Sequence, residues 1–256
     1  DTNHPKAEVF WLNRVSDVKK IFDEEEDKLG EKTAERFLGK AKELLAEHRR
    51  VVVSLPGGRS VQPFYRAIPD QAESLNQAEW KRLNFFWTDE RLVHPESSES
   101  NYRLARDLFL DDMMEEGLIK EANVHRFPGE TNEPGESVKE YSRELGRVSG
   151  GLIHLPVLGV GSDGHVGSLF PGSQQLRSEE DFLLVKDSPK PPSERITVSP
   201  GLTKSSLYPF LFFIGEEKRE AYRCFKNGEN TIDDCPCKLA VAGRTRETFV
   251  ITNLMG

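Results

Sequence analysis

An acid and a histidine stand two residues apart in a glycine-rich turn, Gly159-Val160-Gly161-Ser162-Asp163-Gly164-His165. An imidazole can take a proton near neutral pH, and a neighbouring carboxylate can orient the ring and tune its charge. General-base chemistry by His165, assisted by Asp163, is what this spacing offers. His4, His48, His94, His125 and His154 have no comparable setting. No H-x-x-x-H or H-E-x-x-H spacing occurs, so a histidine-based metal site is unsupported. The absence of a G-x-S-x-G elbow argues against a serine hydrolase. Cys235-Pro236-Cys237 is too tight for an ordinary disulfide or a zinc knuckle, and Cys224 completes no second pair. The three cysteines are expected to be free thiols in a reducing compartment, the cytoplasm, and no metal or cofactor is expected.

The same turn formally fits G-x-G-x-x-G, with acids at Glu179 to Asp181 about 20 residues on, the pattern of a dinucleotide fingerprint. Pro171-Gly172 arrives too soon after it for the long helix that motif needs, and a histidine sits where close packing is wanted. Three further groups can stand at a site mouth. Gly57-Gly58 lies before a helix, where backbone N–H groups and the helix dipole favour negative charge, and Arg59 and Ser60 add donors. Asp89-Glu90-Arg91 is a charged run directly after Phe85-Phe86-Trp87, and Ser100-Asn101 follows as a helix cap. Lys190 and Arg195 flank the proline-rich run Ser188-Pro189-Lys190-Pro191-Pro192, an extended loop able to carry cations back to a phosphate.

These groups need a scaffold that brings them together. Val51–Leu55, Leu83–Trp87 and Leu152–Leu158 are apolar runs that read as buried parallel strands, and each stops at one of the turns above. Helical patterns lie between, over Val61–Ala67, Tyr102–Met114 and Glu136–Val148. Earlier, Ala7–Leu12 reads as a strand and Ser16 as the cap of a helix that carries the acidic run 23–27 and is interrupted at Gly30. Ala34–Leu45 reads as a separate amphipathic helix. The last third predicts strands at Phe182–Val185, Arg195–Val198, Leu207–Ile214 and Thr248–Thr252, and a helix over Glu216–Phe225. The alternation predicts an α/β fold: a largely parallel, Rossmann-like open sheet with helices on both faces and added strands in the C-terminal third. Ligands of such sheets bind beyond the carboxyl ends of the strands, so the three turns should converge.

The composition is compatible with this reading. At 256 residues, 36% hydrophobic and 30% charged, the chain suits one well-solvated globular domain, and 1–256 is taken as a single domain. A formal net charge of -8 argues against nucleic acid or an anionic membrane as partner of the whole protein. It leaves room for a small anion met by a local basic cluster. No apolar run approaches bilayer length, and no secretory hydrophobic segment stands at the start. Oligomeric state is not legible here.

Four blocks carry a resemblance to the 6-phosphogluconolactonase family of the sugar-phosphate isomerase-like superfamily. They are Leu55-Pro56-Gly57-Gly58; Phe85 to Arg91 with Ser100-Asn101-Tyr102; Gly159 to Gly172; and Asp187 to Thr197. The resemblance implies metal-independent hydrolysis of 6-phospho-D-glucono-1,5-lactone, with a small sugar phosphate as the binding partner. It implies that His165 activates water, that Asp163 assists it and that Arg91 contacts substrate. Gly57 and Gly58, with Lys190 and Arg195, would hold the phosphate, and Arg59, Ser60, Asn101 and Gly161 would complete the grip. Two departures stand out. The family's first loop usually reads Ser-Gly-Gly followed by Ser or Thr, where this chain has Pro56-Gly57-Gly58-Arg59-Ser60. After the histidine, Val166-Gly167 replaces the usual Thr-Ala. A glucosamine-6-phosphate deaminase on the same fold, or a non-catalytic sugar-phosphate sensor, is the alternative; Ser168-Leu169-Phe170-Pro171 favours the lactonase.

Overall fold

Side chains of a buried parallel strand alternate between two covered faces, and this chain supplies an apolar residue to both. Val51, Val53 and Leu55 lie in one core with Phe37, Phe64 and Phe109, whereas Val52 and Phe86 lie in another with Tyr141, Leu145 and Phe182. A third cluster unites Leu158, Leu211, Phe213 and Val250 with Ala221 and Tyr222. The alternation therefore demands helices on both sides of one sheet.

The computed structural model describes residues 18–255. Its strands are β1 (Val18–Phe22), β2 (Val51–Leu55), β3 (Leu83–Trp87), β4 (Asp89–Arg91), β5 (Leu155–Gly159), β6 (Phe182–Val185), β7 (Arg195–Val198), β8 (Phe210–Phe213) and β9 (Thr248–Thr252). Six of them form a sheet in the order β1-β9-β8-β5-β2-β3, and every pairing in it is parallel. The other three form a small antiparallel sheet, β4-β7-β6. The predicted α/β fold is observed, with the added strands divided between the two sheets. No described helix is long and apolar enough to cross a membrane.

The N-terminal reading needs correction. The strand expected at Ala7–Leu12 and the cap at Ser16 lie outside the described residues. Where a helix was expected to follow, β1 instead pairs with β9, residue for residue from Val18↔Thr248 to Phe22↔Thr252. That partner is remote in sequence, so local pattern carried no sign of it. Nor does Gly30 interrupt a helix: one helix runs from Glu26 to Glu47. A Cβ at position 30 would stand 2.5 Å from the carbonyl carbon and oxygen of Pro63. Glycine here costs about 1 kcal/mol of helix propensity and admits close contact with the helix Gln62–Asp70.

His154 extends the pairing of β2 and β5 with its side chain. Its N–H donates to Val52 O at 2.9 Å, and its Nδ1 accepts from Val52 N–H at 3.0 Å. The ring must be neutral to accept. Burial, with the nearby His48 and Arg246, lowers its pKa from 6.5 to about 4. In the unfolded chain the ring takes up a proton as pH falls through about 6.5, whereas the folded ring resists to about 4. The unfolded chain binds more protons in that window, so stability falls as pH drops through it. His154→Asn keeps an acceptor near the Nδ1 position without a titrating ring. Urea unfolding at pH 7 and pH 4 should show wild type losing roughly 3 kcal/mol more than this variant. Equal losses would show that His154 carries none of the acid sensitivity.

Candidate active site

Because the six strands run one way, their carboxyl ends share an edge, and a cavity of about 470 Å³ opens there. Gly57, Gly58, Arg59 and Ser60 reach it from the end of β2, and Arg91 and Asn101 from beyond β3. Gly161 and His165 reach it from the end of β5, and Lys190 and Arg195 from the proline loop. A fourth turn joins them: Ile214, Gly215, Glu217 and Lys218, at the end of β8. Asp163 does not line this cavity. It sits behind His165 and opens on a second hollow of about 480 Å³, beside Ser162 and Cys224.

His165 is held by its own turn. Gly161 N–H donates to His165 O at 2.9 Å, and Gly164 N–H to Gly161 O at 3.0 Å. The ring lies so close over Gly161 that a Cβ there would meet Nδ1 at 1.9 Å. Asp163 Oδ1 bonds to His165 Nδ1. An ionised carboxylate can only accept, so Nδ1 carries the proton and Nε2 is left with its lone pair. Nε2 has no hydrogen-bond partner among the described residues. Lys190 Nζ stands 3.9 Å from Asp163 Oδ1 and 3.5 Å from His165 Nδ1. Burial pushes the Asp163 carboxyl up, but the bond and charge of His165, with Lys190, outweigh it and hold the group well below the usual carboxylate range.

The charged run after β3 is buried rather than displayed. Asp89 is 6% exposed and Glu90 2%. Asp89 Oδ1 accepts from Asn101 Nδ2 at 3.2 Å and Oδ2 from Ser168 Oγ at 3.0 Å. Asp89 also lines the cavity, a placement the sequence left open because three adjacent charges after a strand suit a site mouth or a surface ion pair. Asn101 in turn packs on the first loop: a Cβ at Gly57 would stand 1.8 Å from Asn101 Oδ1. Glu90 caps the helical stretch that begins at Asn101. Its carboxylate accepts from Asn101 N–H, Tyr102 N–H and Arg91 N–H, each at 2.8 Å, and from Ser100 Oγ at 3.1 Å. Burial raises its pKa even against those three backbone donors.

The cations divide into two kinds. Arg195, 4% exposed, was expected to face a phosphate. Most of its guanidinium instead braces the proline loop: Nε donates to Pro192 O at 2.9 Å, and Nη2 to Lys190 O at 2.9 Å and Pro191 O at 3.0 Å. Nη1 is left, 3.8 Å from Asp89 Oδ2. Arg59 has a side chain 92% exposed, 3.7 Å from Glu217 across the cavity mouth. Arg91 Nη1 donates to Glu99 O, while its buried Nε has no partner among the described residues. The run Gly215-Glu216-Glu217-Lys218 fits the family resemblance, but Lys218 was not among the expected site residues, although it follows a strand end as the other turns do. Burial, together with Lys190 and Arg59, lowers its pKa despite Glu217. Lys190 and Lys218 are thus the half-buried cations with the fewest competing bonds.

The fold that carries this site is shared with known structures. The 6-phosphogluconolactonase of Thermotoga maritima superposes with a TM-score of 0.75 at 25% identity, covering 93% of this chain and 99% of that one. A monomeric glucosamine-6-phosphate deaminase also shares the fold, with a TM-score of 0.74 at 18% identity, covering 92% of this chain and 96% of that one. The family model described as glucosamine-6-phosphate isomerases/6-phosphogluconolactonase matches residues 24–250, and within that group the chain belongs to the 6-phosphogluconolactonase family. A 6-phosphogluconolactonase of Borreliella burgdorferi is 30% identical over 73% of this chain and 77% of its own length. A probable chloroplastic 6-phosphogluconolactonase of Oryza sativa is 30% identical over 86% of this chain and 69% of its own.

Glu90→Gln leaves an amide NH₂ facing N–H and O–H donors, so at least one buried donor loses its acceptor. Urea unfolding should show a loss of about 2 kcal/mol. An unchanged midpoint would show that the cap contributes nothing.

Proposed function

We propose that the chain hydrolyses 6-phospho-D-glucono-1,5-lactone to 6-phospho-D-gluconate without a metal. The observation that carries this reading is the Asp163–His165 pair, oriented with Nε2 unpartnered beside a cavity rich in cations. Asp163 fixes the tautomer and steadies the imidazolium that forms. His165 Nε2 takes the proton of a water as its oxygen attacks C1 of the lactone. The oxyanion that develops needs donors, and the Arg91 guanidinium at the cavity wall and the N–H groups of the glycine turns are the groups for it. Collapse of the intermediate breaks the bond from C1 to the ring oxygen, which leaves as an alcohol once protonated. A lactone is already an activated ester, so one base and good orientation are enough.

Lys190 and Lys218 take the phosphate, together with the N–H groups of Gly57 to Ser60 at the start of the following helix. Arg195 keeps the proline loop, and with it Lys190, in place. Arg59 is the outermost cation and steers the substrate more than it binds it.

Steady-state assays with a coupled dehydrogenase test this. His165→Ala should lower kcat by roughly 10²-fold or more over the spontaneous background, and a rate equal to wild type would remove His165 from the mechanism. Lys218→Met should raise KM for the phosphorylated lactone far more than it lowers kcat. Chelator treatment should leave the rate unchanged. Release of ammonia from glucosamine 6-phosphate, with no lactone turnover, would overturn the proposal in favour of a deaminase.

A further inference from the structure

Three thiols are packed directly behind the catalytic turn, and the reaction above uses none of them. Cys235 and Cys237 are buried and Cys224 is half-buried, all in the free form. Cys235 Sγ lies 3.4 Å from Cys237 Sγ, and Cys224 flanks Cys235 on its other side. The group touches the turn twice. Cys237 N–H donates to Gly164 O at 2.9 Å. Cys235 Sγ is 3.2 Å from where a Cβ of Gly164 would stand. Gly164 is the residue between Asp163 and His165. The second hollow, lined by Ser162, Asp163 and Cys224, opens from solvent onto Cys224, and Cys235 and Cys237 lie fully buried behind it.

We propose that Cys235 and Cys237, separated by one residue and so outside the ordinary disulfide spacing, nonetheless form a reversible disulfide because their sulfurs are already in contact; it is driven by a peroxide, restrains the catalytic turn and slows the enzyme, the effect on rate resting on the lactonase reading. Cys235 is the sulfur that reacts first. The S–H of Cys237 lowers its pKa to about 7 against the opposing effect of burial, with Cys224 and the Lys238 cation assisting. Cys224, by contrast, is pushed up to about 11, burial being the main cause. The Cys235 thiolate attacks one peroxide oxygen and the O–O bond breaks. A sulfenic acid forms, and the other oxygen leaves as water or an alcohol after taking a proton. The Cys237 sulfur then attacks the Cys235 sulfur, the S–O bond breaks, and water departs with the Cys237 proton. Two thiols lose two protons and two electrons, and one peroxide is reduced.

A disulfide requires the sulfurs to approach to about 2 Å, so the 235–237 segment must contract, and Cys237 N–H carries the Gly164 carbonyl with it. A misplacement of that size in a catalytic group can cost about 10²-fold in rate.

The full chain should be reduced, treated with hydrogen peroxide, alkylated and digested with trypsin. Asn227–Lys238 is a tryptic peptide holding Cys235 and Cys237, whereas Cys224 falls in a separate one. The expected result is an Asn227–Lys238 peptide lighter by two hydrogens and unreactive to alkylation, with kcat down roughly tenfold or more. Both changes should reverse with dithiothreitol and persist in Cys224→Ser. A cross-link from Cys235 to the Cys224 peptide would overturn the pairing. A closed disulfide with unchanged kcat would overturn the restraint. The mass shift is read without any assay, so a chain lacking lactone turnover would refute the lactonase reading and leave the sulfur chemistry still tested.

Discussion

Thr88 joins the two sheets, and the position of the site follows from that junction. It is fully buried, directly after β3. Its N–H donates to Leu55 O of the parallel sheet at 2.9 Å, and its carbonyl accepts from Val198 N–H of the small sheet at 2.8 Å. Its hydroxyl donates to Val157 O of β5 at 3.0 Å and lies 2.9 Å from Ser54 Oγ of β2. One residue thus satisfies partners on β2, β5 and β7 where an unpaired polar group would be costly. The next three residues, Asp89 to Arg91, form β4 and are set over the carboxyl edge of the large sheet.

From that junction the polar interior spreads as one connected set. Asp89 ties Asn101 to Ser168, and so ties the stretch after β3 to the stretch after His165. Glu90 fixes the start of the helix that carries Asn101. Two adjacent buried carboxylates are expensive to desolvate, and they persist because Glu90 meets four donors and Asp89 meets two, with Arg195 close by. Around these carboxylates the buried part of the site is hydrogen-bonded, and at its rim Arg59 and Glu217 meet in solvent.

Much of this was legible in the chain. The runs Val51–Leu55 and Leu83–Trp87 are strands with the expected bounds, and β5 is offset by a few residues from its apolar run because Leu152 to His154 form the approach to it. The strand–turn–helix rhythm implies parallel strands, and parallel strands imply one shared edge. Other features were not legible. β1 exists because β9 offers it an edge, and nothing local to Val18–Phe22 signals that. Gly30 looked like a helix break because the backbone of Pro63, which explains it, is 33 residues away. Lys218 belongs to a run, Gly215-Glu216-Glu217-Lys218, that fits the family resemblance, but only the end of β8 brings it to the same cavity as Lys190.

The sequence alone determined the chemistry on offer: which residues can take a proton, which turns can approach an anion, and which runs must be buried. Those are properties of residue type and of spacing within one element, and they survive without a fold. The tertiary structure alone decided the assignments. It put Asp163 behind His165 rather than in the cavity, bound most of the Arg195 guanidinium to the Lys190, Pro191 and Pro192 carbonyls while leaving the residue in the cavity wall, and set three cysteines beside Gly164. Each of these depends on distances between elements far apart in the chain, and such distances come only from packing.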